Sequence, residues 1–135
     1  MNAYQQWLGY SFERFCRKSH RQIATLLDFQ GVKYRAGSYF SRKIDLEEPG
    51  FQIDLLFERD DKVMTICEIK YSQTATSVKV IDEFEKKLQF LPNSKNKTIQ
   101  KVLISNRGAD SSLQRRAYFD ALIQTEDFFR PHIWK

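Results

Sequence analysis

The sequence predicts an α/β fold, a mixed sheet with helices on its faces. Three observations carry this. A helix-period apolar stripe opens the chain, three strand-like runs follow, and a second helix-period stripe precedes a further strand. At 135 residues the chain has the size of one domain, and residues 1–135 read as one.

The elements follow in order. Over residues 4–29, Leu8, Phe12, Phe15, Ser19, Ile23 and Leu26 recur every three or four residues and form one helical stripe. Gly9 and Ser11 weaken the first turns and move the expected start toward Ser11. Gly31 is the expected stop. Arg14, Arg17, Lys18 and Arg21 lie mostly off the stripe, as on a solvated face. Strands are expected over 33–40, 51–58 and 63–71. A polar connection over 41–50, with Pro49-Gly50 as a turn signal, joins the first two, and a tight polar turn over 59–62 joins the next pair. Residues 77–91 form an amphipathic helix with Val80, Ile81, Phe84, Leu88 and Leu91 inward, stopped by Pro92-Asn93. A strand over 99–105, a short helix over 110–116, a short strand over 121–123 and a last turn over 126–129 complete the body. Thr125 is the expected cap of that turn, and Pro131 blocks its extension.

Composition removes several function classes. Hydrophobic residues at 41% and aromatics at 14% fill a core and argue against wholesale disorder. A net charge of +5 permits a polyanionic partner. The apolar runs are short and broken by charge, so none spans a bilayer. Residues 1–9 lack the pattern of a secretory signal. Cys16 and Cys67 sit inside apolar patterns and read as buried thiols in a reducing, cytoplasmic compartment. Two cysteines and two scattered histidines make no zinc spacing. The five glycines build neither a dinucleotide fingerprint nor a phosphate-binding loop, which excludes ATP binding by that route.

The chemistry-bearing stretch is 50–57 together with 66–71. Strict alternation places Phe51, Ile53, Leu55 and Phe57 on one face of the second strand and Gln52, Asp54, Leu56 and Glu58 on the other. On the third strand Cys67, Ile69 and Tyr71 oppose Ile66, Glu68 and Lys70. Matching the apolar faces pairs Leu55 with Cys67 through a three-residue loop, Asp60-Asp61-Lys62. That register sets Asp54 across from Glu68 and Gln52 across from Lys70, with opposed Cβ atoms roughly 5 Å apart. Two carboxylates at that separation repel unless a divalent cation or a shared proton lies between them. Of the three acid-x-Lys strings, only Glu68-Ile69-Lys70 lies in an apolar strand, where its charges cost desolvation. Glu13 falls at the flank of the first helix's apolar stripe, within reach of the sheet rim. Its alternative is an i,i+4 salt bridge to Arg17.

These residues resemble the PD-(D/E)xK nuclease superfamily, whose restriction-endonuclease-like core runs helix, three strands, helix, strand. Glu13 corresponds to its first-helix acid, Asp54 to its Asp with Ile53 in place of the nominal Pro, and Glu68 and Lys70 to its acid-x-Lys. The length is similar to that of archaeal Holliday-junction resolvases. A closer likeness spans nearly the whole chain. Residues 7–16, 52–57 and 66–72 resemble the C-terminal nuclease-like domain of a group of bacterial and archaeal AAA-type ATPases, the DUF234 group. The ATP-binding module and winged helix of that group are not part of this sequence.

The resemblance implies metal-dependent phosphodiester hydrolysis of nucleic acid, DNA above all. Asp54, Glu68, the Ile69 carbonyl and Glu13 would hold Mg²⁺ or Mn²⁺, and Lys70 would steady the attacking water or the transition-state charge. Gln73 resembles an auxiliary active-site Gln of some relatives. Phosphate contacts are expected from Lys79, Lys86, Lys87, Lys95, Lys97, Arg107, Arg115 and Arg116, for each of which a solvated surface residue is the alternative. Two further readings stand beside the nuclease: a catalytically silent nucleic-acid-binding module, and an interaction domain serving an ATPase in cis or in trans. The last would expose an apolar patch, with Trp7, Phe128, Phe129 and Trp134 as candidates. The likeness to resolvases also implies a homodimer.

Overall fold

The computed structural model describes residues 2–41, 50–93 and 95–130. The expected Pro49-Gly50 turn, the Pro131 stop and Trp134 fall wholly or partly outside the described residues. The chain runs α1 (Ala3–Lys18), α2 (His20–Leu26), β1 (Tyr34–Ser41), β2 (Phe51–Arg59), β3 (Val63–Lys70), α3 (Lys79–Phe90), β4 (Thr98–Ser105), α4 (Ser111–Arg116), β5 (Ala121–Gln124) and a 3₁₀ turn (Thr125–Phe129). The five strands form one sheet in the order β1-β2-β3-β4-β5. The first three are antiparallel neighbours, and β4 and β5 continue parallel to β3. The fold is therefore α/β with a mixed sheet flanked by helices.

The first helix departs from expectation at both ends. It starts at Ala3, not near Ser11, because the Gln5 N–H donates to the side chain of Asn2 at 2.8 Å and Asn2 caps the helix. It then breaks at Ser19, whose N–H returns to Phe15 and Cys16 carbonyls before α2 begins. The helical run ends at Leu26, ahead of Gly31. Asp28 takes a left-handed φ of 62°, the Asp28 N–H bonds the Thr25 carbonyl, and the Phe29 N–H bonds the Ala24 carbonyl at 2.8 Å. These are the two bonds of a Schellman stop, and the buried Phe29 supplies its apolar contact.

The core lies on both faces of the sheet. Phe12, Cys16, Ile23 and Phe29 pack on Leu55, Phe57, Cys67, Ile69, Val102 and Ile104. The other face holds Phe84 on Ile53, Met64 and Ile66, and Val80 and Ile81 on Leu103 and Leu113. The expected α3 stripe is the one that is buried. Both cysteines are free and buried. Burial pushes the Cys16 thiol up to about 12 and the Cys67 thiol well above its ordinary value. Among the described residues no helix is long and apolar enough to cross a membrane.

Candidate active site

The hairpin takes the expected register, with Leu55 opposite Cys67, Leu56 opposite Ile66 and Phe57 opposite Thr65. Its three-residue loop closes with Lys62 at φ 69°, the left-handed position such loops need. On β3 the alternation is regular: Cys67 and Ile69 face α1, and Glu68 and Lys70 reach side chains of α3.

The second strand corrects the expectation. Phe51 and Ile53 belong to the α3-side cluster, whereas Leu55 and Phe57 belong to the α1-side cluster. The pairing with β1 explains the switch: Gly37 faces Leu56 while Tyr39 faces Ile53, so one extra residue is accommodated at Asp54-Leu55. Such a bulge bends the strand and re-aims a side chain. The β2–β3 ladder stops at Leu55–Cys67, so neither expected pair, Asp54–Glu68 or Gln52–Lys70, is part of it. Asp54 sits at this break. It is 9% exposed, and its Oδ2 accepts the Ile69 N–H at 3.1 Å. Its charge acts both on Glu13 and Cys16 of α1 and on Glu68 of β3.

Glu68 is 2% exposed, deeper than any other acid among the described residues. Lys87 of α3 donates to both its carboxylate oxygens, at 2.7 and 3.1 Å. Burial raises the Glu68 pKa, the Asp54 charge adds to this, and Lys87 and Lys70 oppose it. Lys70 extends to Glu83 of α3, Nζ to Oε2 at 2.8 Å. Burial pulls its pKa down, but the hydrogen bond to Glu83 and the charges of Glu68, Glu83 and Asp54 outweigh that and raise it. The two pairs share one geometric cause. Residues 83 and 87 are one helical turn apart, about 6 Å along the axis, and residues 68 and 70 span about 6.6 Å of strand. The helix thus lays an acid over the strand's base and a base over its acid.

Glu13 comes to the same rim from α1. It keeps the i,i+4 contact with Arg17, at 3.8 Å, and also lines a cavity of about 240 Å³ with Gln6, Gly9, Tyr10, Ile69, Lys70 and Tyr71. Burial raises its pKa first and the Asp54 charge second, against Arg17, Lys87 and Lys70. Glu13, Asp54, Glu68 and Lys70 are thereby gathered at one end of the sheet. Among the described residues, no group of three or more His, Cys, Asp or Glu stands close enough to hold a metal ion as the side chains lie.

The remaining expected residues separate. Lys87 is the counter-charge of Glu68, not a free surface cation. Lys79 is exposed and shares a second cavity with Lys70 and Glu83, Lys86 is exposed beside Lys87, and Gln73 is exposed in the loop after β3. Arg107 is exposed just beyond Ser105, the residue beside Lys70. Lys95 and Lys97 lie instead near the hairpin loop, where the Lys97 Nζ donates to the Arg59 carbonyl. That is the far end of β3, about 23 Å from Lys70. Arg115 and Arg116 end α4, which carries the chain back toward Lys101.

Sequence reasoning missed Glu83 and Asn106. Asn106 clips the loop after β3: the Ser72 N–H donates to its Oδ1 at 2.9 Å and its Nδ2 donates to the Ser72 carbonyl at 2.8 Å. A signal for Glu83 existed in its i,i+4 spacing to Lys87 beside the apolar stripe. No local pattern marks Asn106.

No protein-family model matches the chain, and no curated protein matches it. Among solved structures, the chain is similar to the crystal structure of a protein of unknown function, AF1548, at 18% identity and a TM-score of 0.48. The match covers 75% of this chain and 54% of that one, so the chain spans about half the length of that protein.

Proposed function

We propose that the domain hydrolyses phosphodiester bonds in nucleic acid, DNA above all, with a divalent cation. The observation that carries the reading is the bulge at Asp54, which brings a buried carboxylate to the end of β3 beside Glu68, Lys70 and Glu13. The element order also agrees with the one implied by the likeness to PD-(D/E)xK nucleases.

The donor chemistry suits Mg²⁺ or Mn²⁺, since Asp54, Glu68, Glu13 and the Ile69 carbonyl are all hard oxygen donors. The pKa values of Glu13 and Glu68 are raised chiefly by burial, with the Asp54 charge adding to this, and a cation beside these carboxylates would offset that cost. A cation held there supplies a bound water of lowered pKa and positive charge beside the scissile phosphate. The chain's own residues do the rest. The Ile69 N–H fixes the Asp54 carboxylate. Lys70, steered by Glu83, stabilises negative charge developing on the phosphate. Lys79, Lys86 and Arg107 draw the flanking phosphates to the rim, and Gln73, exposed in the loop after β3, adds a polar contact.

A second reading is a catalytically silent nucleic-acid-binding or ATPase-associated domain. One observation favours it: Glu68 and Lys70 already have ion-pair partners on α3. A cytoplasmic setting agrees with two buried free thiols, and a homodimer or an AAA-type ATPase partner belongs to the same family-based proposal.

The test is cleavage of labelled single-stranded, duplex, flap and four-way-junction DNA and of RNA, with Mg²⁺ or Mn²⁺. The nuclease reading expects cleavage by the parent that is lost in both Asp54→Ala and Lys70→Ala. Cleavage by none of the proteins, or equally by all three, rejects it.

A further inference from the structure

The outward face of α1 carries three large rings that the core does not use. Tyr4, Trp7 and Tyr10 are 63%, 61% and 64% exposed. Tyr4 and Trp7 lie nearly parallel, at 19° with centroids 6.4 Å apart. Rings of this size seldom stay in water side by side without a partner. The same face continues into Arg14 and Lys18, both exposed, so the rings run into cations.

The ring row leads to the candidate active site. Tyr10 lines the cavity that also holds Glu13 and Lys70. Gly9 forms part of the same wall. A glycine inside a helix costs about 1 kcal/mol relative to alanine, and nothing lies within 4 Å of the Cβ position at Gly9. Packing therefore gives no reason for this glycine, whereas its bare backbone leaves the cavity open.

We infer that the outward face of α1 is a stacking platform for the unpaired bases of a single-stranded nucleic acid, which it leads to the Glu13–Lys70 cavity. Exposed rings bind unpaired bases through their π-faces, and adjacent cations follow the phosphates. In a duplex those base faces are already stacked, so the platform selects single strands or the unpaired arms of branched ones. A protein partner fits less well, because cations interrupt the apolar surface and the whole chain carries +5. The inference rests on the nucleic-acid reading of the neighbouring site.

The test is fluorescence anisotropy of a labelled oligo-dT strand of about 15 nucleotides and of a duplex of equal length, with divalent ions chelated. The proteins are the full chain, Trp7→Ala/Tyr10→Ala and Trp7→Phe/Tyr10→Phe, each checked by circular dichroism. The expected result is tighter binding of the strand than of the duplex, a loss of at least tenfold for the strand in the alanine pair, and recovery in the phenylalanine pair. Absence of strand binding by the parent, an unchanged affinity in the alanine pair, or an equal loss for strand and duplex overturns the platform. The two readings fail separately. A parent that binds the strand through the rings yet cleaves nothing keeps the platform and loses the nuclease. A parent that cleaves while ring loss changes no affinity does the reverse.

Discussion

Replacing Lys87 by methionine removes the ammonium from Glu68 and keeps most of the side-chain volume. Loss of one partner of a buried ion pair costs about 3–5 kcal/mol, because the survivor stays charged without water or partner. Two features reduce this. The Lys87 side chain keeps 22% of its surface in solvent, and Lys70 adds positive charge two residues from Glu68. About 2–3 kcal/mol remains, a melting-temperature drop of roughly 6–15 °C for a domain of this length. The loss depends on pH. Glu68 has a raised pKa in the folded state, and without Lys87 it rises further, so protonation relieves the unpaired charge as pH falls. The deficit is therefore larger at pH 7 than near pH 5. Thermal unfolding of the parent, Lys87→Met, Glu68→Gln and the double variant at both values reads this directly. The double variant recovers most of the loss, since an amide needs no counter-charge. If Asp54 and Glu68 take a divalent ion, Mg²⁺ also raises the melting temperature of Lys87→Met more than that of the parent. A Lys87→Met protein within about 0.5 kcal/mol of the parent at pH 7, or equally destabilised at both values, would show that Lys87 does not stabilise a charged, buried Glu68.

Three other outcomes follow from the same structure. Cys16, with its thiol at about 12 against an ordinary 9.0, stays unreactive toward thiol reagents at pH 8 until the protein is unfolded. The unfolded thiol ionises first, so stability is retained below pH 9 and falls as pH rises from 9 toward about 12, which alkaline melting curves measure. Asn106→Ala strips both bonds from Ser72, lowers stability by about 1–3 kcal/mol, and opens the loop after β3 to limited proteolysis. The glycines split in sign: Gly9→Ala raises stability by about 1 kcal/mol, whereas Gly108→Ala lowers it, because φ is 73° there and a new Cβ meets Gln124 Nε2 at 2.9 Å. Denaturant midpoints for the two variants move in opposite directions.

What the sequence disclosed follows from where its patterns are unambiguous. β3 alternates strictly, so matching Cys67 to Leu55 set the hairpin register. The α3 stripe has one apolar side, so its buried face could be read directly. The bulge was hidden because β2 is covered on both faces: Phe51, Ile53, Leu55 and Phe57 look like one face while two different helices cover them. The start of α1 was misplaced because Gly9 and Ser11 weigh against helix locally, while the cap at Asn2 stabilises those turns from outside them. The ion pairs from Glu68 and Lys70 to α3 depend on how that helix is phased over the sheet, which spacing along one element does not encode. The convergence of Asp54 with Glu13 depends on the bulge and was visible only as a reach to the rim. Asn106 lies 34 residues from Ser72, so its clip is a product of the tertiary fold.

Under the proposed function, the carboxylates at the bulge and on β3 form a cation site that serves hydrolysis. Titration of Mn²⁺ followed by electron paramagnetic resonance, on the parent, Asp54→Asn and Glu68→Gln, addresses it most directly. Saturable binding by the parent and at least tenfold weaker binding by each variant are expected. A parent that leaves Mn²⁺ free in solution, or variants that bind it as tightly as the parent, contradicts the claim.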